Sequence, residues 1–157
     1  MTRWAALALA GALLAACGNK TNLRPPAQVQ PQAATALVAA SAKDGVLLTW
    51  HRPTQYTGGS RMSDLGGFDI ERAPGDGTGN YARIGQMVLD DQKRFRPQRE
   101  LSWTDTTAVP GTRYRYRVIA FTLDDYRSAP AGPVSVTFDP SKAPPPPPPG
   151  TPTPGLK

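Results

Sequence analysis

From residue 34 onward, apolar and polar side chains alternate with a period of two. Val46, Leu48 and Trp50 alternate with Leu47, Thr49 and His51, and Phe68 and Ile70 with Asp69 and Glu71. Tyr114, Tyr116, Val118 and Ala120 alternate with Arg113, Arg115, Arg117 and Ile119, and Val134, Val136 and Phe138 with Ser135 and Thr137. In an extended chain successive side chains point to opposite faces, so this alternation predicts half-buried strands. Weaker strands are predicted over 35–41, 81–87 and 101–106. Turn residues separate them: Lys43-Asp44-Gly45, Gly58-Gly59-Ser60, the segment from Pro74 to Asn80, Pro110-Gly111 and Pro130-Ala131-Gly132. No stretch is long and periodic enough to read as a helix. Seven short strands in about 105 residues predict a β-sandwich, with Trp50, Phe68, Ile70, Trp103, Tyr114, Tyr116 and Val118 in its core.

The flanks differ in kind. Arg3 precedes an unbroken apolar and small run from Trp4 to Ala16, thirteen residues long. A membrane-crossing helix needs about 20 apolar residues, so the basic start and small-residue end read as a cleavable signal peptide over 1–16. The run ends in Leu14-Ala15-Ala16 and Cys17 comes next, a string that resembles the lipobox of bacterial lipoproteins. That resemblance implies a diacylglycerol on the thiol, cleavage before Cys17 and acylation of the new amine. Two or more acyl chains anchor stably, at ~0.8 kcal/mol per buried methylene. Gly18 rather than Asp after the cysteine implies the outer membrane, periplasmic side. Cys17 is the only cysteine, so neither a disulfide framework nor a cysteine metal site is possible.

Residues 17–33 carry Pro25, Pro26 and Pro31 without apolar periodicity and predict an extended, solvated, lipidated tether. Residues 140–157 hold nine of the eighteen prolines, six of them consecutive from Pro144 to Pro149. Such a stretch is expected to be disordered or polyproline II, a spacer or a docking motif spanning roughly 56 Å when extended at about 3.1 Å per residue. The formal charge is +6, but residues 34–139 hold 13 Lys and Arg against all 12 Asp and Glu. The basic excess therefore sits mostly in the flanks. A nucleic-acid module needs a basic face on its folded part, so nucleic acid is not an expected partner.

The central segment, 34–139, resembles a fibronectin type III domain. Val46-Leu47-Leu48-Thr49-Trp50 is similar to that family's second strand with its core tryptophan. Asp64-Leu65-Gly66-Gly67-Phe68-Asp69-Ile70 is similar to the third strand and its approach, and Ser102-Trp103-Thr104-Asp105 to the fifth. Val109-Pro110-Gly111-Thr112-Arg113-Tyr114 resembles the corner before the sixth strand, and Ser128-Ala129-Pro130 the entry to the last. The resemblance implies a seven-stranded immunoglobulin-like sandwich and makes Tyr114 the corner tyrosine, its hydroxyl returning to the backbone upstream. Val88 to Glu100 is longer and more charged than the family pattern.

Candidate chemistry is sparse. His51, the only histidine, lies on the outward side of its strand, and nothing in the sequence sets Ser60 or Ser63 and Asp64 around it as a dyad requires. Asp90-Asp91 and Asp124-Asp125 lack the spaced oxygen ligands of a calcium loop and read as solvated turns. Gly75 to Gly79 lacks the following helix of a phosphate cradle and reads as a hairpin loop. Lys93, Arg94, Arg96 and Arg99 surround Phe95, an interleaving able to grip a polyanion, or to form a solvated edge loop. Arg113, Arg115 and Arg117 are expected to face Asp69 and Glu71 across paired third and sixth strands.

These features predict a non-enzymatic binding or spacer module, without cofactor or metal. Its expected partners are the membrane, through acyl chains on Cys17, and an envelope protein or peptidoglycan. A second expectation comes from Cys17-Gly18-Asn19-Lys20-Thr21-Asn22-Leu23-Arg24-Pro25-Pro26, which is similar to the start of a small outer-membrane lipoprotein that assists the lipopolysaccharide translocon. That family has Gly-Pro where this chain has Thr21-Asn22. The similarity implies an envelope assembly factor acting through its N-terminal segment.

Overall fold

The computed structural model describes residues 25–77, 79–95 and 99–143. The signal-like segment, Cys17, the run from Pro144 onward, Arg96 and the side chain of Phe95 lie outside the described residues.

Seven strands form two antiparallel sheets: β1 (Thr35–Ala42), β2 (Gly45–His51), β3 (Leu65–Pro74), β4 (Ala82–Val88), β5 (Glu100–Asp105), β6 (Arg113–Thr122) and β7 (Ala131–Thr137). One sheet has the order β1-β2-β5 and the other β4-β3-β6-β7. The alternation read from sequence faces the interior between them. Val46, Leu48, Trp50, Phe68, Ile70, Tyr116, Val118 and Ala120 are all fully buried, and Trp50 meets Phe68 edge-on with ring centroids 5.4 Å apart. Trp103 and Tyr114 are only half-buried, packed against this core from its rim. The expected burial of Tyr114 is thus corrected: Tyr116, two residues on, is the enclosed tyrosine. Tyr114 sits where β6 begins, and its hydroxyl accepts from Val109 N–H at 3.1 Å, the upstream return expected of a corner tyrosine.

The chain enters and leaves at opposite ends of the sandwich. At one end lie the segment before β1, the β2–β3 loop, the β4–β5 loop and the β6–β7 turn. Backbone bonds tie them together: Thr57 N to Gln30 O, Gly58 N to Ala27 O, Leu123 N to Asp64 O and Leu89 N to Gly66 O. At the other end Gly111 N donates to Phe138 O, and Asp139 N to Ser41 Oγ.

Two expectations are corrected here. Residues 25–33 are not a solvated tether. They form α1 (Pro26–Val29) and then an extended stretch with Val29 and Pro31 buried and Gln32 N bonded to Gln55 O. Apolar burial of single residues left no periodic signal there. A second short helix, α2 (Asp91–Phe95), stands in the charged β4–β5 loop. Among the described residues no helix is long and apolar enough to cross a membrane.

Candidate functional site

The entry end of the sandwich carries two clefts. One, of about 260 Å³, lies between α1 and the β6–β7 turn and is lined by Pro26, Val29, Gln30, Tyr126 and Arg127. The other, of about 440 Å³ and more polar, is lined by Ala27, Gln28, Tyr56, Gly58 and Ser60. Both exist because the segment before β1 folds back over the β2–β3 loop. Gln30 Nε2 reaches Arg127 O at 3.0 Å and joins that segment to the β6–β7 turn. The turn is held from within: Thr122 N donates to Tyr126 O, Tyr126 N to Thr122 Oγ1, and Asp125 adopts φ +63° at the bend. A turn tied this way presents Leu123 and Tyr126 outward at 58% and 45% exposure.

The cationic loop is mostly spoken for. Asp90 caps α2, its carboxylate accepting from Lys93 N at 2.7 Å, which satisfies one of the helix's orphan N–H groups. Arg52 bonds the carbonyls of Lys93 and Arg94 at the helix's other end, at 3.0 and 2.7 Å; burial lowers its pKa somewhat. The Arg94 side chain is only 11% exposed and donates to Leu65 O, Leu89 O and Asp91. It pins the loop to the sandwich, so its expected reach toward a polyanion is corrected. Lys93 and Arg99 are exposed, Lys93 within 3.4 Å of Asp90. Of the cations named there, Arg94 is turned inward and Lys93 and Arg99 face outward, while Arg96 lies outside the described residues.

On the outer face of the larger sheet, the register decides which charges meet. Glu71 stands opposite Arg117 and bonds it. Asp69 stands opposite Ile119 rather than an arginine, contrary to expectation. It is 2% exposed, covered by Arg127, Arg83 and Gln86, which all donate to its carboxylate. Arg115 faces Ala73 and donates to the carbonyls of Pro74 and Gly79. Arg115 and Arg117 both lie over the Tyr81 ring, 5.3 and 4.1 Å from its centroid, a cation–π arrangement.

Sequence reasoning missed the most enclosed polar group. Asp105, at the end of β5, is fully buried and accepts from Tyr116 Oη at 2.8 Å, Arg72 Nη1 at 2.7 Å and Thr107 through both Oγ1 and N. Burial pushes the carboxyl pKa up, but bonds from Thr107, Tyr116 and Arg72 outweigh it and hold the group below the usual carboxylate range. Burial first, and then the same bond to Asp105, drive the Tyr116 phenol well above its ordinary value. The network ties β5 and β6 together across the two sheets. His51, with Glu100 at 3.8 Å, is about half exposed and outside this network. Among the described residues no three His, Cys, Asp or Glu side chains are grouped to hold a metal ion.

Two antiparallel sheets of three and four strands, with every sheet-to-sheet crossing at the ends, define an immunoglobulin-like β-sandwich. With the order β1-β2-β5 over β4-β3-β6-β7 and the tyrosine corner, the fold is that of a fibronectin type III domain. Among solved structures, the chain is similar to the twitchin kinase region from C. elegans, which contains such a domain, with TM-score 0.50 and 19% identity over 70% of this chain and 17% of that one. It is also similar to a fourth FNIII domain from human, with TM-score 0.49 and 17% identity over 80% of this chain and 87% of that one. The twitchin match thus covers only a small share of that chain. No protein-family model matches the chain, and no curated protein matches it.

Proposed function

We propose that the chain is an envelope lipoprotein in which one fibronectin type III domain serves as a non-enzymatic binding or spacer module, anchored to the outer membrane through acyl chains on Cys17. The observation that carries this reading is the placement of the ends. The described chain begins and finishes at opposite poles of a rigid sandwich, so an anchor before it and the proline-rich run after it are held apart by the sandwich's length. A ten-residue strand such as β3 or β6 spans about 33 Å. The polar clusters of the domain support the same reading, since Asp69, Asp105 and Arg94 spend their bonding capacity on internal partners. The partner proposed for the proline-rich run is an envelope protein or peptidoglycan.

The test is in-cell crosslinking and capture of the full chain beside a variant lacking residues 144–157. Capture of one envelope component that the truncation loses supports the module with its tail as the docking element. A component retained by the truncation but lost on scrambling residues 18–24 supports instead an assembly factor that contacts the lipopolysaccharide translocon through the N-terminal segment. Membrane fractionation of Cys17→Ser in high salt tests the anchor: retention of the variant on membranes overturns it.

A further inference from the structure

We propose that the entry pole of the sandwich is a membrane-docking surface whose occupant is the interfacial region of a lipid bilayer, with Leu123, Tyr126 and Val88 as its apolar contacts. The inference rests on the Cys17 anchor proposed above. Cys17 stands eight positions before Pro25. A fully extended chain covers at most ~3.6 Å per residue, so Pro25 lies no more than roughly 29 Å from the acylated residue. Pro25 immediately precedes α1, which packs at this pole against the β2–β3 loop and the β6–β7 turn. The tether therefore delivers this pole, and not the one bearing Phe138 and Asp139, to the bilayer.

The exposed apolar side chains follow the same division. Of the large hydrophobic residues left exposed among the described residues, Leu123 (58%), Tyr126 (45%) and Val88 (62%) lie on this rim, Val109 at the opposite pole and Val38 along β1. Val88 ends β4 opposite Gly67, and Gly67 pairs onward with Phe121 just before the β6–β7 turn. The turn holds Leu123 and Tyr126 outward without needing to reorganise, which lowers the cost of binding. Tyrosine suits the zone where hydrocarbon meets head groups, because its ring is apolar and its hydroxyl polar.

Much of the charge at this rim is matched within the domain. Lys93 pairs with Asp90, Arg94 with Asp91, and Arg127 with Asp69 and Asp125. Arg61 and Arg99 stand exposed at the same pole, and Asp124, exposed at the turn's tip, opposes them on an anionic surface. The contact proposed is the apolar one, which zwitterionic lipid satisfies and salt leaves in place.

Lipidated full-length protein is reconstituted on phosphatidylcholine vesicles with a spin label at Asp124→Cys or, for comparison, at Val109→Cys. Flotation with the vesicles reports the anchor; collision with aqueous nickel chelate and with dissolved oxygen reports depth. The expected result is loss of nickel broadening and gain of oxygen broadening at 124, with 109 remaining open to nickel, unchanged in 1 M salt. Leu123→Ser with Tyr126→Ser is expected to reopen 124 while the protein still floats. Flotation with both labels equally open to nickel overturns the docking surface and leaves the anchor standing. Failure to float overturns both. Protection at 124 in unlipidated Cys17→Ser protein without vesicles assigns the surface to a second copy of the chain and overturns the bilayer as occupant.

Discussion

Asp105 and Tyr116 show how single residues bear on this fold. The carboxylate is buried among donors, and its pKa is held below that of the unfolded chain. Its contribution to stability is therefore complete above the unfolded value of about 3.9 and is lost as pH falls through the folded value. Tyr116→Phe removes one donor to a charged acceptor, which costs about 1.5–3 kcal/mol. Urea unfolding at pH 7 should show that loss, and the difference from the parent should shrink as pH falls through the folded-state pKa of Asp105. A loss that stays equal across the acid range would mean that the phenol's partner is not a charged carboxylate. Trp50→Ala should cost about 3–5 kcal/mol in the same assay, because it empties a buried site with little room to collapse. The tryptophan and the inward face of β2 were legible from alternation and turn chemistry, and the corner tyrosine from the resemblance to the type III family. Asp105 was not, because an acid at the end of a strand gives the same sequence signal whether it faces water or the donors that Arg72 and Tyr116 bring from other strands.

Strand identity was legible at the element scale, and strand neighbours less so. All seven strands exist where alternation set them, including the three weaker ones, though β7 starts at Ala131, inside the predicted turn. Register is a property of pairs, and there the expectation for Asp69 failed: β3 and β6 align Glu71 with Arg117 but Asp69 with Ile119. The edges of the two sheets meet where β4 passes β5. A Cβ added to Gly85 would stand 2.5 Å from the Trp103 indole. Gly85→Ala should therefore displace the indole, lower stability by about 1–3 kcal/mol and red-shift the Trp103 fluorescence. An unshifted spectrum would mean that β4 yields instead. The charged β4–β5 loop was read as unstructured or polyanion-binding because α2 is too short to show a 3.6-residue period. Its order comes from the Asp90 cap and from Arg52 and Arg94, which reach it from outside or pin it to the sandwich.

Across the whole molecule, the segment before β1 behaves as part of the domain. Deleting residues 25–33 removes the burial of Val29 and Pro31 and the bonds to Gln55, Tyr56's loop and Arg127. The deletion should lower the thermal midpoint measurably by circular dichroism while leaving a β spectrum; an unchanged midpoint would mean that the segment rests on the sandwich without stabilising it. By itself the sequence determined the two-sheet class, the strands and the tryptophan core, because period-two burial and turn residues are local properties of a chain. The tertiary structure alone decided which charges neutralise one another, that Arg94 is bound inward, that residues 25–33 join the domain, and that the chain enters and leaves at opposite poles. Each of these depends on which distant segments the fold brings side by side, and local chain chemistry carries no record of that.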